Sequence, residues 1–237
     1  MSNSYFQFKQ FRIEQDRCAM KVGTDGVLLG AWSKVDHAEH ILDIGTGTGL
    51  LTLMLAQKSK AFIDAIDIDL DSFEQANQNI LSSPWYRRIK LYHISAQQYT
   101  EQSIETYDLI ISNPPFFINS SKSSNPSKQL ARHDDSLSQD ELLQISMKLL
   151  NDNGRLSVIY PIIEALQFQK KASLLGLFQT RTLLIYPNEH KDPKRILMEF
   201  SKLYSALEEK ELFIEQGGRH NYSSEYKNLT KEYYLKF

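Results

Sequence analysis

The densest chemistry in the chain lies in Asn113-Pro114-Pro115-Phe116. An amine attached to an aromatic base is a poor nucleophile, because its lone pair is delocalised into the ring. Two acceptors aimed at its two N–H bonds would draw that pair back onto nitrogen. The Asn113 side-chain oxygen and the Pro114 main-chain carbonyl form such a pair. They would also stabilise the positive charge that grows as nitrogen attacks a carbon electrophile. Prolines stiffen the arrangement and remove competing backbone donors. Phe116 supplies a ring to stack on the base and fix its plane. Neither a metal nor a nucleophilic serine or cysteine is needed.

A second group of residues could hold the electrophile. Asp43-Ile44-Gly45-Thr46-Gly47-Thr48-Gly49 reads as a turn between an apolar strand and a helix. Glycines let a backbone approach a ligand closely, and a helix start offers free N–H groups. Asp67 follows 18 residues after Gly49, where a carboxylate can accept both hydroxyls of a ribose. Asp69 competes for that role. Asp43 either braces the loop or meets the ligand's amine. A dinucleotide fingerprint would need glycine where Leu50 stands, which argues against a nicotinamide oxidoreductase. The Gly-Lys-Ser/Thr of a phosphate-binding P-loop is absent. His37 and His40 lack a third ligand and read as surface residues.

These residues need a scaffold that brings strand ends together. Short apolar strands are predicted at 41–44, 61–67, 89–94, 108–112, 155–160, 181–186 and 195–201, and helices at 50–58, 71–81, 138–150 and 224–235. Alternation of this kind predicts an α/β fold with a mostly parallel sheet of seven strands and helices on both faces. Ligands of such sheets bind beyond the strands' carboxyl ends, where the residues above fall. The stripe Tyr222, Tyr226, Leu229 and Tyr233 predicts a C-terminal helix packed on the sheet.

Composition bounds the partners. The 237 residues are 41% hydrophobic and 24% charged, enough for one core. A net charge of −2 gives no global field for a polyanion, so any nucleic acid must meet a local basic patch. Residues 118–133 carry Lys122, Lys128, Arg132 and His133 without an acid, directly after the catalytic stretch. They are the candidates for phosphate contact beside an extruded base. Arg87, Arg88 and Lys90, and Lys191, Lys194 and Arg195, read as ordinary surface charge. The lone Cys18 excludes a disulfide framework. The N-terminus lacks the pattern of a signal peptide, and no apolar run reaches the roughly 20 residues of a membrane span. A cytoplasmic protein is expected.

The glycine loop, the spaced acid and Asn113-Pro114-Pro115-Phe116 together resemble the Rossmann-like class I methyltransferases that modify exocyclic or amide nitrogens, over residues 41–160. The resemblance implies S-adenosyl-L-methionine as cofactor. It assigns Gly45, Thr46, Gly47, Asp67 and Ile68 to it, with Asp43 and Asn113 beside them, and Ser95-Ala96 to its adenine. The segment from Gln15 to Trp32, with Ser83-Pro84-Trp85 and Ala131-Arg132-His133, is similar to the bacterial tRNA adenine-N6-methyltransferases, which modify the purine 3′ of the anticodon in a valine tRNA. That likeness spans nearly the whole chain. It implies that residues 21–25 fold over the cofactor's methionine end, with Thr24 or Asp25 as the contact. It also implies one domain, in which residues 1–40 cover the site, 41–203 form the catalytic core and 204–237 extend it. tRNA is the implied partner, with no metal, membrane or obligate protein partner.

Two alternatives lie close. Protein-glutamine methyltransferases share such a core but carry a helical N-terminal domain, and only 42 residues precede Asp43. Enzymes acting on ribosomal-RNA amines often carry a duplicated domain. A catalytically inactive RNA-binding or assembly protein is a third reading, opposed by the intact Asn113-Pro114-Pro115-Phe116.

Overall fold

The computed structural model describes residues 3–18, 20–114 and 137–236. A small hairpin, β1 (Tyr5–Gln7) and β2 (Arg12–Glu14), precedes helix α1 (Thr24–Trp32). The main sheet then alternates with helices. Its first half comprises β3 (His40–Ile44), α2 (Leu50–Lys58), β4 (Phe62–Asp67), α3 (Leu70–Leu81), β5 (Ile89–His93), α4 (Ala96–Gln102) and β6 (Tyr107–Ser112). Its second half comprises α5 (Gln139–Leu149), β7 (Leu150–Pro161), α6 (Ile162–Leu174), β8 (Phe178–Asn188), β9 (Arg195–Ser201), β10 (Glu208–Glu215) and α7 (Ser224–Thr230).

The strand order is β10-β8-β9-β7-β6-β3-β4-β5. All pairings are parallel except those of β9 with β7 and β8. The carboxyl ends of the other strands therefore share one edge of the sheet. Side chains alternate across a strand, and the two hydrophobic clusters follow that period. Ile41, Ile63, Leu109 and Ile111 pack with α1 and α2 on one face. Leu42, Ile44, Ile66 and Ile110 pack with α5 and α6 on the other. Because both faces of β6 are covered, its apolar run is continuous rather than alternating.

The described sheet has eight strands rather than the expected seven. The extra strand is β10, which pairs with β8 at the sheet's edge. Glu208-Glu209-Lys210-Glu211 opens it, and an edge strand tolerates such charge because only one side is paired. Helix α6 was also not anticipated. It buries Ala165, Phe168 and Ala172 but exposes Ile163, Leu166 and Leu174, so no clean apolar stripe marks it. Helix α7 stops at Thr230 instead of continuing to 235. Beyond it, Tyr233 is buried against α2, its hydroxyl donating to the Met54 carbonyl at 3.2 Å. Helix α5 starts where expected because Ser138 and Glu141 cap each other's backbone amides.

Candidate active site

The carboxyl ends of β3, β4 and β6 lie side by side, at Ile44, Asp67 and Ser112. A cavity of about 290 Å³ opens over them, lined by Gly45, Gly47, Asp67, Ile68, Ser95 and Asn113 among others. Residues from four separate stretches of sequence are thus brought to one place.

The glycine loop forms one wall. Gly45 and Gly47 have φ of 73° and 57°, a left-handed conformation that L side chains avoid. A Cβ built on either would meet nothing within 4 Å among the described residues. The conformation demands glycine there, and the open space beside it belongs to the cavity. The loop is pinned from behind by the Gly45 and Thr46 amides, which donate to the Ile66 carbonyl at 2.9 and 3.1 Å.

Asp43 and Thr46 lie under this wall. Asp43 is fully buried. Its Oδ2 accepts the Thr46 hydroxyl at 2.7 Å, the Thr52 hydroxyl at 2.7 Å and the Thr52 amide at 3.1 Å. It thereby joins the loop to the first turn of α2. Its Oδ1 is buried without a hydrogen-bond partner among the described residues. Burial pushes the carboxyl up to about 6, with the three donated bonds opposing the shift.

Asp67 forms the floor at the end of β4. Its Oδ2 accepts the Gly47 amide at 2.8 Å and its Oδ1 accepts the Asp69 amide at 2.9 Å. Burial raises its pKa, and these amides offset part of the rise. Each carboxylate oxygen retains acceptor capacity beyond one bond. Asp69 also borders the cavity, but its side chain caps α3 by accepting the Ser72 amide at 2.8 Å. Ser95 and Ala96 start α4, with Ser95 accepting the Gln98 amide at 3.1 Å. The Ile94 amide donates to the Asp67 carbonyl at 3.0 Å, which holds that turn against β4.

Asn113 follows β6, and its side-chain Oδ1 is buried with no hydrogen-bond partner among the described residues. Leaving a buried acceptor unpaired costs about 1–3 kcal/mol, so an orphan at a cavity wall calls for a ligand. The preceding Ser112 hydroxyl donates to the Ile44 carbonyl at 2.8 Å, locking the end of β6 to β3. Helix α1 crosses above. A Cβ on Gly26 would stand 2.9 Å from Leu50 Cδ2 and 3.8 Å from Asn113 Nδ2, so glycine lets this helix sit close to the amide.

Thr24 and Asp25 do not border this cavity. Thr24 lines another one, and Asp25 is ion-paired with Arg195 at 2.7 Å, which fastens α1 to the start of β9. From the same N-terminal segment, Cys18 and Met20 line the cavity instead. They lie in the Gln15–Trp32 stretch already singled out, just ahead of residues 21–25, and their types gave no separate signal. Burial raises the Cys18 thiol to about 11, with a Ser72 hydrogen bond opposing, so it stays a neutral wall residue. Ser72, Gln97 and Leu137 were likewise not anticipated as lining. Pro114 is buried next to Asn113. Pro115, Phe116, Lys122, Lys128, Arg132 and His133 lie outside the described residues. Among the described residues, no cluster of three or more His, Cys, Asp or Glu is placed to hold a metal, and no helix is long and apolar enough to cross a membrane.

Comparison with known proteins adds three findings. The methyltransferase small domain family model matches residues 21–184. The chain is 52% identical to a tRNA1(Val) (adenine(37)-N6)-methyltransferase of Trichodesmium erythraeum (strain IMS101), and 44% identical to the protein of that name from Parabacteroides distasonis; each alignment covers 100% of both chains. In fold it is similar to a predicted O-methyltransferase from Agrobacterium tumefaciens, with a TM-score of 0.68 and 19% identity over 88% of this chain and 96% of that one.

Proposed function

The chain belongs to the methyltransferase small domain family and, within it, to the tRNA1(Val) (adenine(37)-N6)-methyltransferases, and from that membership we propose that it methylates the exocyclic amine of an adenine in tRNA using S-adenosyl-L-methionine. The observation that carries the chemistry is the buried Asn113 Oδ1, unpartnered among the described residues, on the wall of the cavity that also holds Gly45, Gly47 and Asp67.

The residues present fit this cofactor. The open side of Gly45 and Gly47 leaves room for its methionine part, and the Asp67 carboxylate has acceptor capacity for two ribose hydroxyls. Ile68, Ser95 and Ala96 provide a wall for the adenine, and Asp43 and Thr46 brace the loop from below. When bound, the cofactor supplies an electrophilic methyl carbon on a sulfonium. Asn113 Oδ1 accepts one N–H of the target amine, and the Pro114 carbonyl accepts the other. Both bonds strengthen as the nitrogen becomes positive, which lowers the barrier. The bound cofactor would supply that methyl carbon and keep the sulfur–carbon electron pair, while Asn113 and Pro114 hold the amine, whose surplus proton would leave to solvent. Phe116 stacks on the extruded base. Lys122, Lys128, Arg132 and His133 meet the neighbouring phosphates. Residues 1–40 and 204–237 serve this site as parts of one domain with the 41–203 core, and the enzyme works in the cytoplasm.

The test is methyl transfer from labelled S-adenosyl-L-methionine to total tRNA, followed by nucleoside digestion and chromatography. N6-methyladenosine is the expected product. A different methylated nucleoside would overturn the adenine assignment, and label found only on protein would favour glutamine methylation.

A further inference from the structure

A second cavity, of about 650 Å³, opens at the carboxyl edge of the same sheet, beyond the end of β10. The hairpin contributes Phe6, α1 contributes Thr24, the turn after β10 contributes Arg219 and His220, and the tail contributes Lys236. Tyr222 adds a further ring. Thr24 begins the helix whose Gly26 lies against Asn113. Two residues of helix, about 3 Å along its axis, separate them. The first turn of α1 therefore stands between this cavity and the catalytic amide.

The lining mixes flat rings with cations. Arg219, His220 and Lys236 are exposed, and neither Arg219 nor Lys236 has an ion-pair partner among the described residues. Glu215, the acid among the described lining residues, accepts the His220 amide through Oε1 at 2.8 Å. The turn itself is built rather than slack. The Gln216 amide donates to the Asn221 carbonyl at 2.8 Å, and Asn221 Nδ2 returns a bond to the Gln216 carbonyl at 2.7 Å. His220 is held at φ 65°, a left-handed conformation that a non-glycine residue adopts only under constraint. The constraint fixes Arg219 and His220 at the cavity's rim.

We infer that this cavity binds a nucleotide flanking the methylated adenosine, with its base against Phe6 and its phosphate at Arg219 and Lys236; the inference rests on the tRNA reading given above. Single-stranded RNA is recognised by splaying bases onto aromatic rings while cations follow the backbone. Extruding one base unstacks its neighbours, and a second stacking surface beside the catalytic pocket offsets that loss. The chain's net charge is −2, so attraction to RNA has to come from local clusters such as this one.

The experiment pairs Arg219→Glu with Lys236→Glu and measures transfer to an unmodified valine tRNA transcript across a salt series. KM for tRNA should rise about tenfold, and the slope of log affinity against log salt should fall by about 1–2. The dissociation constant for S-adenosyl-L-methionine, measured on the same preparation, should stay within error and reports that the fold is intact. Should charge reversal impair folding, Arg219→Gln with Lys236→Gln should still lower the salt slope, whereas Arg219→Lys with Lys236→Arg should preserve it. If the wild type forms N6-methyladenosine and the glutamine variants keep its KM and salt slope, this inference is overturned while the catalytic reading stands. If the wild type forms none, the catalytic reading fails first and this one fails with it.

Discussion

The Asp67 carboxylate accepts the Gly47 amide at 2.8 Å, tying the end of β4 to a glycine loop twenty positions earlier in the chain. One side chain thus shapes the loop and presents a charged acceptor to the cavity. Asp67→Ala should weaken S-adenosyl-L-methionine binding by about 1.5–3 kcal/mol, the usual worth of hydrogen bonds to a charged group. Asp69→Ala should instead lower thermal stability by about 1 kcal/mol, because it removes the N-cap of α3. Calorimetry on both variants checks the assignment. A larger affinity loss for Asp69→Ala would transfer the ribose to Asp69.

A second expectation concerns pH. Asp43 has its carboxyl raised from 3.8 to about 6, chiefly by burial. Its folded form therefore holds a proton more tightly than its unfolded form. By linkage, its contribution to stability is complete below pH 4 and is lost as pH rises through about 6. A shift of this size corresponds to roughly 3 kcal/mol. Asp43→Asn keeps an acceptor for Thr46 and Thr52 but cannot ionise. The unfolding free energy of wild type minus variant, from urea melts, should fall between pH 4 and 6.5. A difference that stays flat across that range would remove Asp43 from the titrating groups.

What the sequence revealed of this site followed from local backbone demands. Gly45 and Gly47 were legible because a strand-to-helix turn with positive φ requires glycine whatever surrounds it. Asp67 and Asn113 were legible because each directly follows or ends a buried strand whose apolar residues mark its length. Cys18 and Met20 were not, since nothing local says that an irregular N-terminal segment folds across the ends of β3 and β4. Thr24 and Asp25 show the same limit. The turn of α1 carries Asp25 toward Arg195 of a strand 170 positions away, and only the tertiary fold sets that pairing. Strand β10 was hidden because edge position, not pattern, decides how much charge a strand can carry.

The basic stretch after Asn113-Pro114-Pro115-Phe116 makes a separate prediction. Replacing Lys122, Lys128 and Arg132 with alanine should lower tRNA affinity and reduce the log–log salt slope by roughly 1 per lost phosphate contact, while cofactor binding survives. Filter binding at several salt concentrations is sufficient. Normal binding and methylation by the triple variant would reduce these cations to solvated surface charge.

The catalytic role proposed for Asn113 gives the most demanding test. Its Oδ1 is buried and unpartnered among the described residues, so its removal takes no hydrogen bond from that part of the fold. Asn113→Ala should therefore leave thermal stability and cofactor affinity nearly unchanged. Turnover should nevertheless fall by about 10²–10³-fold, because an acceptor that strengthens in the transition state is worth about 2.7–4 kcal/mol. Phe116→Ala should behave differently, weakening capture of the base as well as slowing transfer, since it removes a stacking surface worth roughly 1–3 kcal/mol. Single-turnover transfer to tRNA at varied RNA concentration separates the two. The asparagine variant should lower the maximal rate with little change in half-saturation, and the phenylalanine variant should move both. Full single-turnover rate in Asn113→Ala would overturn the proposed mechanism, even if N6-methyladenosine remains the product.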